Sequence, residues 1–99
     1  MAAYVIAEIT VTDAEGYESY KLLAEESIHA HGGRYLVRGG TVDSLEGAPA
    51  GARIVVLEFP DLETARSWYR SDDYQAAARA RQVTSTGRLF LAEGLSTPG

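Results

Sequence analysis

The stretch Ala52-Arg53-Ile54-Val55-Val56-Leu57-Glu58-Phe59-Pro60-Asp61 decides how the chain reads. Ile54 to Leu57 is a short apolar, β-branched run, so Ala52 to Phe59 is a strand. Asp61, just after Pro60, stands where a helix N-cap belongs. Leu62 to about Arg70 supplies the helix. A strand therefore feeds directly into an acid-capped helix.

The same arrangement stands at the start of the chain. Tyr4 to Val11 alternates and is rich in β-branched residues, which makes it the first strand. Asp13 follows as N-cap with Glu15 in the first turn, and Thr12 with Glu15 also fits a capping box. The first helix runs to Ala30 or His31, where Gly32-Gly33 stops it. Glu8 to Glu15 thus echoes Glu58 to Glu63, too briefly to establish a duplication.

Between the two units, Arg34 to Arg38 is a short strand. Gly39-Gly40 interrupts it as a bulge or kink, and Thr41 to Leu45 is expected to continue along the sheet edge. Glu46 to Gly51, with two glycines and Pro49, is a loop. After the second helix, Ser71-Asp72 restarts a helical segment through about Gln82, and Thr86 to Glu93 is the last strand. The order βαββαβ predicts an α+β, ferredoxin-like domain: an antiparallel sheet with its helices on one face. The expected layout is one domain over residues 1–94 and a flexible tail over 95–99.

Side chains alternate along a strand. Val5, Ala7, Ile9 and Val11 oppose Tyr4, Ile6, Glu8 and Thr10; Val55, Leu57 and Phe59 oppose Ile54, Val56 and Glu58; Leu89 and Leu91 oppose Phe90 and Ala92. Neither face is clearly polar, yet helices cover only one. The second apolar face predicts a homodimer, against the plainer reading that β-branched residues simply favour strands.

Composition narrows the partners. The 99 residues suffice for one domain. A formal net charge of −5 argues against nucleic acid and anionic membrane as partners. There is no cysteine, which excludes disulfides and Cys-based metal or redox sites. No segment approaches the ~18 apolar residues of a membrane span. The apolar start lacks a basic flank and is broken by Glu8, so it reads as a strand and not a signal peptide; the cytoplasm is the expected location. His29 and His31 point to opposite helix faces and cannot share a metal. No dinucleotide or phosphate loop appears, so no cofactor is expected.

Several phrases carry a family likeness: Ala3-Tyr4-Val5-Ile6-Ala7-Glu8, Thr12-Asp13, the run Ala30-His31-Gly32-Gly33-Arg34-Tyr35-Leu36-Val37-Arg38-Gly39-Gly40, Leu57-Glu58-Phe59-Pro60, and Trp68-Tyr69-Arg70-Ser71 with Tyr74-Gln75. Together they resemble the domain-of-unknown-function family DUF1330, within the dimeric α+β barrel superfamily, over roughly Ala3 to Gly94. The resemblance implies a ferredoxin-like protomer whose sheet packs on its twin's. It implies no established activity. The wider superfamily includes cofactor-free monooxygenases of antibiotic pathways, small isomerases and stress-responsive proteins, which share a fold without sharing chemistry.

Three groups of residues could carry chemistry. His31 falls in the middle of the first helix's apolar stripe, with Tyr17, Tyr20, Ala24, Ser27 and Ile28; it is either a helix-end histidine bonding a carbonyl or an acid–base group. Arg38 ends a strand and could clamp a carboxylate or enolate oxygen, or pair with Glu8 or Glu58. With strands one and three taken as adjacent and parallel, Glu8 and Glu58 are expected to approach each other. Trp68, Tyr69 and Tyr74 sit at the helix junction, as core packing or as a pocket mouth; the wheel places Leu62, Ala65 and Tyr69 in the core and Trp68 at its edge. Arg79 and Arg81 belong to a solvated face. The function this favours is a homodimer binding a small acidic or aromatic molecule between helices and sheet. His31 and Arg38 would act in proton transfer or cofactor-free oxygenation, with Glu58, Trp68, Tyr69 and Tyr74 as ligand contacts. The alternative is a structural or interaction module with no ligand site.

Overall fold

The computed structural model of the chain describes residues 1–48 and 52–95. Seven elements follow in order: β1 (Ala3–Val11), α1 (Ala14–Ala30), β2 (Arg34–Arg38), β3 (Arg53–Phe59), α2 (Leu62–Arg70), α3 (Asp72–Thr84) and β4 (Ser85–Glu93). The strands form one sheet in the order β2-β3-β1-β4, antiparallel at every pairing. This is the ferredoxin-like arrangement expected from the sequence. The predicted tail from residue 96 and positions 49–51 of the predicted loop lie outside the described residues.

Each helix begins at the acid or hydroxyl that marked it. Asp13 accepts from the Gly16 N–H at 3.1 Å and Asp61 from the Thr64 N–H at 2.7 Å. Ser71 serves two helices at once: its Oγ donates to the Trp68 carbonyl at 2.5 Å, closing α2, and accepts from the Tyr74 N–H at 3.3 Å, opening α3. At the end of α1, Gly32 takes φ +77°. The Gly32 N–H then reaches the His29 carbonyl and the Gly33 N–H the Ile28 carbonyl, at 3.2 and 2.9 Å, the paired bonds of a Schellman cap. Gly33 is required for space instead: a Cβ there would stand 2.6 Å from the Phe59 ring.

The core lies between sheet and helices. Ala3, Val5, Ala7 and Ile9 of β1 and Leu57 and Phe59 of β3 meet Tyr17, Tyr20, Ala24 and Ile28 of α1, Ala65 and Trp68 of α2, and Tyr74, Ala77 and Ala78 of α3. Four expectations need correction. β1 and β3 are adjacent but antiparallel, pairing Tyr4 with Glu58 and Glu8 with Ile54, so Glu8 and Glu58 stand four residues apart along β1. Each has its own arginine: Glu8 with Arg88 at 2.8 Å, Glu58 with Arg34 at 2.7 Å. Residues 41–45 form no strand; the irregularity in β2 falls between Tyr35 and Val37, and Gly39, at φ +71°, turns the chain away from the sheet. In α2 the roles of neighbouring aromatics are exchanged, with Trp68 1 % exposed and Tyr69 44 %, because the turn meets the sheet along Ala65 and Trp68. Lastly, Arg81 buries its Nε instead of lying on a solvated face.

Candidate functional site

Two cavities lie between the helices and the sheet, one toward the β4 edge and one toward the β2 edge. The larger encloses about 350 Å³ between α2 and the edge of the sheet formed by β1 and β4. Its floor is Val5, Leu89 and Leu91, and its wall is Ala65, Trp68 and Tyr69. Arg66 and Arg70, one turn apart on α2, also line it. The cavity exists because β4 is an edge strand paired only with β1, while α2 holds Trp68 down against Phe59, ring centroids 5.1 Å apart. An apolar volume of this size with cations among its lining residues suits a small molecule bearing a negative group. No histidine or carboxylate lines it.

The smaller cavity, about 30 Å³, lies between the first half of α1 and strands β2 and β3, where Tyr17, Tyr35, Arg38 and Arg53 meet.

Of the residues singled out from sequence, Trp68 and Tyr69 line the larger cavity and Arg38 the smaller. His31, Glu58 and Tyr74 line neither. His31 is the C-cap of α1. Its Nδ1 lies 2.9 Å from the Ser27 carbonyl and 3.9 Å from Asp73 Oδ2. A carbonyl only accepts, so Nδ1 carries a proton in this contact. Arg38 donates to Glu25 Oε1 at 3.1 Å and stacks over the Tyr35 ring at 4.2 Å. Glu25 precedes His31 by six residues, about 9 Å along a helix; the two candidates share no partner and no cavity. Glu58, paired with Tyr4 in register, lies on the sheet face opposite the helices. Tyr74 is fully buried and its hydroxyl meets that of Tyr20 at 3.1 Å. Burial, and then Tyr74 beside it, pushes the Tyr20 hydroxyl far above its ordinary range. Among the described residues, no cluster of metal-ligating side chains exists.

Sequence reasoning passed over Arg66, Arg70, Leu89 and Leu91. Their signal was positional: Arg66 and Arg70 bracket Trp68 one turn apart, and Leu89 and Leu91 share the helix-facing side of β4.

The fold and the pocket define a class: a four-stranded ferredoxin-like domain with a cleft under its second helix. The chain belongs to the family described as Domain of unknown function (DUF1330), whose model matches residues 2–95. No match was found among curated proteins. Among solved structures, it is similar to a protein of unknown function from Rhodopseudomonas palustris, with 18 % identity, a TM-score of 0.77, and coverage of 96 % of this chain and 83 % of that one. It is also similar to SnoaB, a cofactor-independent oxygenase from Streptomyces nogalater, with 16 % identity, TM-score 0.69 and coverage of 97 % and 95 %. A third is a dimeric protein of unknown function and ferredoxin-like fold from Bacteroides fragilis, with 14 % identity, TM-score 0.56 and coverage of 94 % and 96 %. At these identities the likeness is one of fold. Among the described residues, no helix is long and apolar enough to cross a membrane.

Proposed function

We propose that the protein is a homodimeric domain that binds a small planar organic acid in the cavity beneath α2. The observation that carries this reading is the cavity itself: about 350 Å³, an apolar floor, an indole and a phenol in the wall, and two guanidinium groups among the lining residues. An aromatic ring packs against the exposed Tyr69, with Trp68 buried behind it, and its carboxylate meets Arg66 or Arg70. With no acid or base in the lining, binding is the primary role, and His31 and Arg38 would act only on a ligand long enough to leave the pocket.

Trp68 is the chain's one tryptophan, so its fluorescence reports the pocket directly. Titration with 2-naphthoate should quench it saturably. The pocket-filling variant Leu91→Trp, whose second indole is allowed for by following binding calorimetrically, should lose that affinity at unchanged circular dichroism. Undiminished binding in Leu91→Trp, or no saturable quenching by any member of a panel of aromatic acids at millimolar concentration, would remove this reading in favour of an interaction module without a ligand site.

A second reading is favoured by the likeness to SnoaB: cofactor-free oxygenation of an enolisable ring held in the same cavity. Fold analogy is weak evidence for chemistry. Oxygen uptake with an enolisable aromatic ring compound, abolished by Leu91→Trp, is the outcome it requires.

A further inference from the structure

The smaller cavity gathers positive charge in an acidic protein. Three of the chain's nine lysines and arginines line it, Lys21, Arg38 and Arg53, with no carboxylate among the lining residues. Two of the three are neutralised at its rim: Lys21 by Glu18 at 2.9 Å and Arg38 by Glu25 at 3.1 Å. Arg53 is different. Among the described residues it enters no ion pair, and its Nε is buried without a hydrogen-bond partner. Buried polar groups in folded proteins are almost always satisfied, and an orphan donor signals a missing partner.

The guanidinium is held in place by the backbone around it. A Cβ at Gly39 would stand 2.1 Å from Arg53 Nη1 and 2.5 Å from Cζ. Gly39 holds φ +71°, which favours glycine, and its missing side chain leaves the guanidinium room to lie against the chain there. The Gly39 N–H bonds the Ile54 carbonyl at 2.9 Å, fixing the turn beside the start of β3. The Arg53 charge acts on the Tyr17 hydroxyl, opposing the effect of burial. Burial keeps the Tyr17 and Tyr35 hydroxyls above their ordinary range, so both remain donors at neutral pH.

We propose that this cavity is a carboxylate site, in which Arg53 receives the planar head group of a small monocarboxylic acid and the Tyr17 and Tyr35 hydroxyls complete its hydrogen bonds. The size fits. A buried water needs about 10–15 Å³, so the cavity's volume of about 30 Å³ holds two waters, or the carboxylate that displaces them. The two terminal nitrogens of a guanidinium form a fork matched to two carboxylate oxygens, and the buried Nε sits directly behind them. A phosphate is larger and tetrahedral and carries more charge than one unpaired guanidinium balances. The site is separate from the cavity beneath α2, sharing no lining residue with it.

The test follows the arginine Nε–H resonances of the intact ¹⁵N-labelled protein, with Arg53 assigned by the signal missing in Arg53→Lys. Acetate is titrated against chloride at fixed ionic strength. The Arg53 Nε–H should move downfield saturably, and by more than those of Arg34 and Arg88, which already hold carboxylates. Inorganic phosphate should bind at least tenfold more weakly than acetate. Acetate should also raise the melting temperature of the unmodified protein and not that of Arg53→Gln. A non-saturable shift shared by all arginines would overturn the proposal, as would phosphate binding as tight as acetate. Should Arg53→Gln fail to fold, the resonance titration of the unmodified protein decides alone.

Discussion

Trp68 Nε1 donates to Ser27 Oγ at 3.1 Å, joining α2 to α1 through two side chains each 1 % exposed. Ser27 passes the bond on, its hydroxyl donating to the Ala24 carbonyl at 2.9 Å. The wall of the larger cavity is therefore pinned from behind. Ser27→Ala leaves the indole N–H buried with no acceptor and should destabilise the protein by about 1–3 kcal/mol, against which the better helix propensity of alanine offsets a few tenths. Urea unfolding followed by Trp68 fluorescence measures the change. A neutral effect would mean that the indole finds another partner and that the pocket wall is held by packing alone.

The Tyr20 and Tyr74 hydroxyls meet at 3.1 Å in a buried contact between α1 and α3. Removing one leaves the other desolvated and unpaired, whereas removing both leaves an apolar contact of nearly the same shape. Tyr20→Phe and Tyr74→Phe should each cost about 1–2 kcal/mol and the double variant distinctly less than their sum. Strictly additive losses in the unfolding free energies would show that the two hydroxyls do not act on each other.

The four strands that form, the caps and the glycine stop of α1 were legible because each rests on local chemistry: Asp13, Asp61 and Ser71 hold the bonds their positions suggested, and Gly32 closes α1; the strand expected over Thr41 to Leu45 does not form. What failed was whatever needed tertiary direction. Glu8 and Glu58 looked like neighbours until the antiparallel register set them four residues apart. Trp68 and Tyr69 are adjacent in sequence, and only the docking angle of α2 decides which one is buried. Arg53 gave no signal of its own, because a strand-opening arginine looks solvated until Gly39 and Tyr17, distant in sequence, close around it. His31 was placed at its helix end correctly, but the carbonyl it bonds and the distance to Arg38 are facts of packing.

Acid should act first on the helix starts. The backbone N–H of Thr64 holds the Asp61 carboxyl below its ordinary range. A carboxylate with a folded pKa below its unfolded value, about 3.9, contributes stability that is fully present above that value. The contribution is lost as pH falls through the lower, folded value. Asp61→Asn keeps a capping oxygen without the titration. The stability gap between the unmodified protein and Asp61→Asn should be constant from neutral pH to about pH 5 and shrink below about pH 4. Parallel curves through the acid limb, by chemical denaturation at each pH, would contradict the capping account.

The sheet face away from the helices carries the last prediction. Val37 pairs with Val56, Val56 with Ile6 and Ile6 with Phe90, so one apolar row crosses all four strands. The ion pairs Arg34–Glu58 and Arg88–Glu8 stand on either side of it. Val37 and Phe90 are exposed. A twofold partner presenting the same row would bury it against itself and leave the charged pairs at the rim. Light scattering of the unmodified protein should give twice the 10.7 kDa chain mass. Ile6→Lys, at the centre of the row, places a cation where the two rows would meet, and should yield a folded monomer or an aggregate; circular dichroism tells these from an unfolded chain. Val37→Lys, nearer the edge of the sheet, should weaken the dimer less. A stable monomer of the unmodified protein at micromolar concentration would end the homodimer reading and leave the row as a face for some other partner.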